Sequence, residues 1–159
     1  MVKMFTQIVY DTRNKSGTTK AFAEKLAYLF DVPCYNVNSN LVKDGKFILC
    51  TYTDGLGEVP ETTEIFLKEH SHNILGVVGN GSSNFKSMGL FAKVGDIIAN
   101  RYDVELLKKL DMGGKSEDVI YVGRRLKNKY KIDKHLPFDK IINKSTYVDG
   151  KFTFKTRIE

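Results

Sequence analysis

The sequence predicts an α/β fold: a doubly wound, five-stranded parallel sheet with helices on both faces. Two observations lead to it. Five strand-like segments alternate with helical ones along 159 residues, the pattern of strand–helix–strand units. The segments 47–52 (Phe-Ile-Leu-Cys-Thr-Tyr) and 74–78 (Ile-Leu-Gly-Val-Val) are apolar nearly throughout. Strands covered on both faces read this way, whereas half-exposed strands alternate. With five strands the natural order is 2-1-3-4-5, and ligands then bind beyond the carboxyl ends of the strands, near the switch in order.

Phe5–Tyr10 reads as a buried strand. Thr18–Phe30 carries Phe22, Ala23, Leu26, Ala27 and Phe30 at helical spacing. Val32–Val37 is a short strand with Pro33 at its edge, Asp44-Gly45 is a turn, and Phe47–Tyr52 is strand three. Pro60 opens a helix at its first position, followed by Glu61 and Glu64, which suit the positive end of the dipole. Ile74–Val78 is strand four, Phe85–Tyr102 a helix, Val104–Leu110 strand five and Ser116–Lys129 the last helix, with Ser116 as its cap. In the tail, Thr146–Phe154 reads as a β-hairpin on the Asp149-Gly150 turn.

Hydrophobic residues make up 42% and charged residues 28%, a globular balance. No apolar run approaches the roughly 18 residues of a membrane helix, and the N-terminus has no signal-peptide core. Cys34 and Cys50 form no C-x-x-C pair and are expected to be buried free thiols, which fits a reducing cytoplasm. His70, His72 and His135 make no metal set with them, so no metal is expected. The net charge is +6, with five basic residues in the run 124–131. That run reads as the solvated face of a terminal helix. No recognition-helix or RNA-binding signature accompanies it, so no nucleic-acid partner is expected.

Chemistry is sought in four loops. The first, 11–19, holds Thr12, Arg13, Ser16, Gly17, Thr18 and Thr19 ahead of a helix. Unpaired N–H groups, the positive dipole end and hydroxyl donors make a cradle for a terminal phosphate. It lacks P-loop spacing and the G-x-G-x-x-G of dinucleotide sites; an ordinary polar capping loop would look similar. The second holds Thr51, Tyr52, Thr53, Asp54, Gly55, Leu56 and Gly57. Its glycines free backbone amides and Tyr52 can lie against a flat ring; a flexible turn is the alternative. The third offers Asn80, Gly81, Asn84 and Phe85, with Phe85 either a stacking face or a core residue at a helix entry. The fourth offers Met112, Gly113 and Gly114, with Lys115 placed toward a planar ligand's edge. All four converge on one crevice. No nucleophile–base set is present, so the chemistry is expected from a cofactor.

The segment Phe47-Ile-Leu-Cys-Thr-Tyr-Thr-Asp-Gly-Leu-Gly-Glu-Val-Pro60 resembles the hallmark of the NrdI family, flavodoxin-like activators of class Ib ribonucleotide reductase. Val9-Tyr-Asp-Thr12 with Ser16-Gly-Thr-Thr-Lys-Ala-Phe22 resembles that family's phosphate loop. Gly76–Phe85 and Leu110–Val119 resemble its third and last loops. The resemblance covers roughly residues 5–130. It implies a flavodoxin-like FMN-binding domain over 1–130; residues 131–159 have no counterpart in the family and are expected to form a basic C-terminal extension, a β-hairpin packed on the domain. It implies bound FMN that, once reduced, converts dioxygen to superoxide-type oxidant for the dimanganese site of the reductase's small subunit, where a tyrosyl radical forms. It further implies an electron-donating flavodoxin reductase or similar partner, and a glycine peptide, at Gly55 or Gly57, that responds to redox state. The sequence departs from the family in a first loop about two residues longer around Arg13–Lys15, in Phe85 where tryptophan is common, and in Gly113 and Lys115 where hydroxyls are common. The alternatives are an ordinary flavodoxin carrying single electrons, and a flavin-free α/β binding module.

Overall fold

The computed structural model describes residues 4–13, 17–142, 145–148 and 151–154. The expected Asp149-Gly150 turn, Lys15 and Ser16 lie outside these.

The main sheet contains β1 (Gln7–Tyr10), β2 (Cys34–Asn36), β3 (Phe47–Tyr52), β4 (Ile74–Gly81) and β5 (Glu105–Asp111), in the order β2-β1-β3-β4-β5, every pair parallel. The pleat explains why these strands are apolar on both sides. Ile8, Tyr10, Ile48 and Cys50 enter one core, together with α1 (Thr18–Phe30) and α4 (Ser116–Lys129). Their neighbours Val9, Phe47 and Leu49 enter the other, with α2 (Glu61–His70) and α3 (Lys93–Tyr102). The inner strands β1 and β3 are therefore apolar at most positions, while the edge strands β2 and β5 carry polar residues. Of the two thiols expected to be buried, Cys50 is fully so, whereas Cys34, on the edge strand β2, is only half-buried against the first core; burial pushes both thiols up in pKa.

Several element ends differ from the sequence reading. The helix expected over 85–102 is two elements, a 3-10 turn at Ser83–Met88 and then α3. Gly89 at φ +71° and Ala92 at φ +48° leave the right-handed region, so the hydrogen-bond ladder cannot run through. Strand β4 runs three residues beyond Val78, so Asn80 and Gly81 are strand residues rather than loop. Pro60 is the cap before α2, not its first residue. Ser116 does not cap α4; the Asp118 carboxylate accepts the Lys115 N–H at 2.7 Å from inside the first turn.

After α4 the chain packs back on the first core. Leu136 and Ile141 are buried there, the latter from α5 (Phe138–Ile142). Strands β6 (Ser145–Val148) and β7 (Lys151–Phe154) pair antiparallel as a separate two-stranded sheet. Much of the late basic run lies on the solvated face of α4, as expected, and is paired there within the molecule. Arg125 and Lys129 both pair with Glu105 on the edge strand β5, and Lys127 donates to the Lys134 carbonyl.

Candidate functional site

Strands β1, β3, β4 and β5 end at the same side of the sheet, and their following loops enclose a cavity of about 620 Å3. Ligand sites of 300–1,000 Å3 are typical. Its walls are Thr12, Arg13, Gly17, Thr18 and Thr19 from the first loop and α1; Tyr52, Thr53, Gly55 and Gly57 after β3; Asn80, Gly81, Ser82, Phe85 and Leu90 from β4 onward; and Met112 after β5.

The floor is organised by Asn80, which is only 5% exposed. Its Oδ1 accepts the Gly113 N–H at 2.7 Å, which fixes the amide orientation, since an N–H can only donate. Its Nδ2 therefore donates to Thr18 Oγ1 at 3.1 Å and Thr19 Oγ1 at 2.8 Å. Each hydroxyl, having accepted, keeps its own proton to donate. Both stand in the first turn of α1, where no side chain caps the helix and no acidic residue sits. The positive end of that helix carries roughly half an elementary charge. Gly113 itself lies at φ +87°, and a Cβ there would come within 2.3 Å of Thr18 Cβ, so only glycine lets the last loop close on α1.

A second network sits beneath the loop after β3. The buried Asp11 carboxylate accepts from the Thr62 and Thr63 hydroxyls at the start of α2, and Thr63 is joined to Thr51 at 2.9 Å. The loop closes on itself through Asp54 and Glu58, whose backbones exchange two hydrogen bonds at 2.8 and 2.7 Å. Gly55 and Gly57 take positive φ within it. Arg13 reaches across from the first loop: it lies 5.3 Å over the Tyr52 ring, donates to the Thr53 carbonyl at 3.4 Å and pairs with Asp54 at 3.5 Å. The Tyr52 hydroxyl is raised in pKa by burial, then by Asp11 and Asp54, with Arg13 opposing.

Phe85 lines the cavity and is 38% exposed, so it is not a core residue. Asp111 ties the last loop to the third, accepting the Ser83 N–H at 2.9 Å and the Ser83 hydroxyl at 2.8 Å. Those bonds, backbone first, hold its carboxyl below the usual range.

Thirteen of the residues singled out from sequence line this one cavity. Thr51 is buried behind it on Thr63, Gly113 backs the floor, Gly114 lies beside Leu110 and Asp118, and Asp54, Leu56 and Asn84 stand outside the lining. Ser16 falls outside the described residues. Lys115 is exposed and does not line the cavity; Arg13 does. Sequence reasoning missed Ser82, which sits in the loop it had named, and Leu90, hidden by the expectation of an unbroken helix.

A family model described as NrdI Flavodoxin like matches residues 8–124. The chain belongs to the NrdI family. Its similarity to Protein NrdI of Deinococcus radiodurans is 38% identity over 120 residues, 76% of this chain and 82% of the relative. To Protein NrdI of Bacillus licheniformis it is 36% over 113 residues, 71% and 81% of the two chains. Among solved structures the fold is similar to a Streptococcus pneumonia TIGR4 flavodoxin, with TM-score 0.58 and 23% identity over 79% of this chain and 98% of that one. It is also similar to a Fusobacterium nucleatum flavodoxin bound to flavin mononucleotide, with TM-score 0.56 and 19% identity over 82% of this chain and all of that one. The NrdI match runs from β1 into α4 and so includes all four loops of the cavity, while α5 and the β6–β7 pair lie beyond it. Among the described residues no helix is long and apolar enough to cross a membrane.

Proposed function

We propose that the chain binds one FMN non-covalently in this cavity and serves as a cytoplasmic redox protein that supplies oxidant to the dimanganese–tyrosyl radical site of a class Ib ribonucleotide reductase small subunit. The observation that carries the reading is the floor of the cavity. An uncapped helix N-terminus and two threonine hydroxyls, oriented by Asn80 so that their protons are free, form donors matched to a terminal phosphate dianion. Tyr52 and Phe85 offer aromatic faces, and Gly55, Gly57 and Gly81 offer backbone to the edge of a flat ring. When bound and reduced, FMN supplies the electrons that convert dioxygen to superoxide. The protein's part is to hold the phosphate, to flank the ring and to set the local charge.

Leu56, Phe85, Met88 and Met112 are exposed apolar side chains on the loops after β3, β4 and β5. They suit contact with the reductase subunit and, at another stage, with an electron-donating flavodoxin reductase or similar protein. An ordinary one-electron carrier on this fold is expected to be acidic to match its partners, and this chain carries +6.

The test is titration of the purified chain with FMN and FAD. FMN should bind and FAD should not. Thr18→Ala with Thr19→Ala should weaken FMN by roughly 1.5–3 kcal/mol for each charge-assisted hydrogen bond lost. An unchanged FMN affinity in that double variant would remove the floor from the site.

A further inference from the structure

We propose that Met112 is an oxidative modification site, where its thioether takes up peroxide leaving the cavity. This rests on the oxidant-supplying reading above. Two superoxide ions and two protons give one hydrogen peroxide and one dioxygen. A lone pair of the methionine sulfur then attacks one peroxide oxygen. The S–O bond forms as the O–O bond breaks, the sulfur is oxidised by two electrons, and the departing hydroxide takes the proton from the transferred oxygen to leave as water. The product is methionine sulfoxide.

The placement of sulfur in this chain selects Met112. It lines the cavity and is 66% exposed. Its backbone is pinned there, with the N–H donating to the Gly81 carbonyl at 2.8 Å. Met88 is comparably open, at 58%, but lies outside the lining. Met4 packs against the first core, and Met1 is outside the described residues. Neither thiol competes. Cys50 is buried and Cys34 half-buried, neither lines the cavity, and burial pushes both thiols up in pKa, so the reactive thiolate is scarce. A thioether needs no ionisation to react, so Met112 is the first oxidisable sulfur that outgoing oxidant meets. A sulfoxide there turns one member of an exposed apolar set, shared with Leu56, Phe85 and Met88, into a polar group. Oxidant that is not delivered thereby alters the surface meant to deliver it.

The experiment compares two arms on the full chain loaded with FMN. In one, the flavin is reduced anaerobically, freed of excess reductant and admitted to air over repeated cycles. In the other, the oxidised form receives hydrogen peroxide in bulk. Peptide mass spectrometry reads sulfoxide at Met112, Met88 and Met4. The expected result is a Met112-to-Met88 ratio several-fold higher under turnover than in bulk peroxide, with Met4 least modified in both. An equal ratio in the two arms overturns the inference, and if flavin absorbance shows FMN bound and reoxidised by air it does so while leaving the proposed function standing. A chain that takes up no FMN, or whose reduced flavin persists in air, overturns both.

Discussion

Substitutions at Asn80 should separate the stability of the site from its affinity. The side chain is 5% exposed and makes hydrogen bonds of 3.1, 2.8 and 2.7 Å to Thr18, Thr19 and Gly113. Asn80→Ala removes all three. Each is worth roughly 0.5–1.5 kcal/mol net, and the Gly113 N–H left without a partner adds to the loss, so the flavin-free protein should be less stable by about 2–4 kcal/mol. Asn80→Asp behaves differently. The carboxylate still accepts from Gly113, and the two hydroxyls now turn their protons inward to it. Stability should fall by less than in Asn80→Ala. Affinity should fall by more, because the hydroxyls no longer face a phosphate and a negative charge sits beneath it. Two hydrogen bonds to a charged group, at roughly 1.5–3 kcal/mol each, correspond to FMN binding weaker by about 100-fold or more. Urea unfolding of the flavin-free protein gives the first quantity and fluorescence titration with FMN the second. If Asn80→Asp binds FMN as tightly as wild type, the hydroxyl protons do not serve the phosphate and the reasoning fails.

Phe85→Ala should loosen FMN while leaving thermal unfolding of the flavin-free protein nearly unchanged, since the ring is already 38% exposed; a loss of roughly 3–5 kcal/mol, as a core aromatic would show, would contradict its place at the cavity. Arg13→Gln removes the described cation that lines the cavity, so the second one-electron potential should drop relative to the first, by on the order of 1 kcal/mol or less after solvent and salt screening, and by more than in Lys115→Glu. Potentiometric titration reads both, and a larger effect from Lys115 would reverse the assignment. Asp111, held below the usual carboxylate range by Ser83, should contribute stability that is present above the unfolded-state pKa and lost as pH falls through its lower folded-state value. The Ser83 amide signal should therefore titrate below the ordinary aspartate range, and a midpoint at or above that range would show that the pair does not form.

How much of this was legible in the sequence depended on whether local chemistry or tertiary contact decided the matter. The strand order and the two-faced cores were written in continuous apolar runs such as Phe47–Tyr52, because every position there must face one core or the other. The loops declared themselves through residue types that a phosphate or a flat ring requires. What was hidden depended on contacts between distant segments. Asn80 could be named as a site residue, but its role in orienting Thr18 and Thr19 arises only where β4 ends against α1. Leu90 was assigned to a helix because helical spacing continues through it, while Gly89 and Ala92 break that helix at positive φ, and Ala92 lies hard against the end of β4, where a Cβ on Gly81 would lie 2.8 Å from the Ala92 nitrogen. Lys115 was placed toward the ligand by its position in a loop, and capping by Asp118 holds its backbone at the start of α4 instead.

The most direct test of the central claim is radical formation in the partner. The FMN-loaded chain is reduced anaerobically, mixed with the manganese-loaded class Ib ribonucleotide reductase small subunit and exposed to air, and the tyrosyl radical is read by electron paramagnetic resonance. The account predicts a radical signal that requires both the reduced flavin and dioxygen, and that is absent with the oxidised form. Reduced flavin that persists in air, or that reoxidises without yielding radical above the level of the subunit alone, would contradict it.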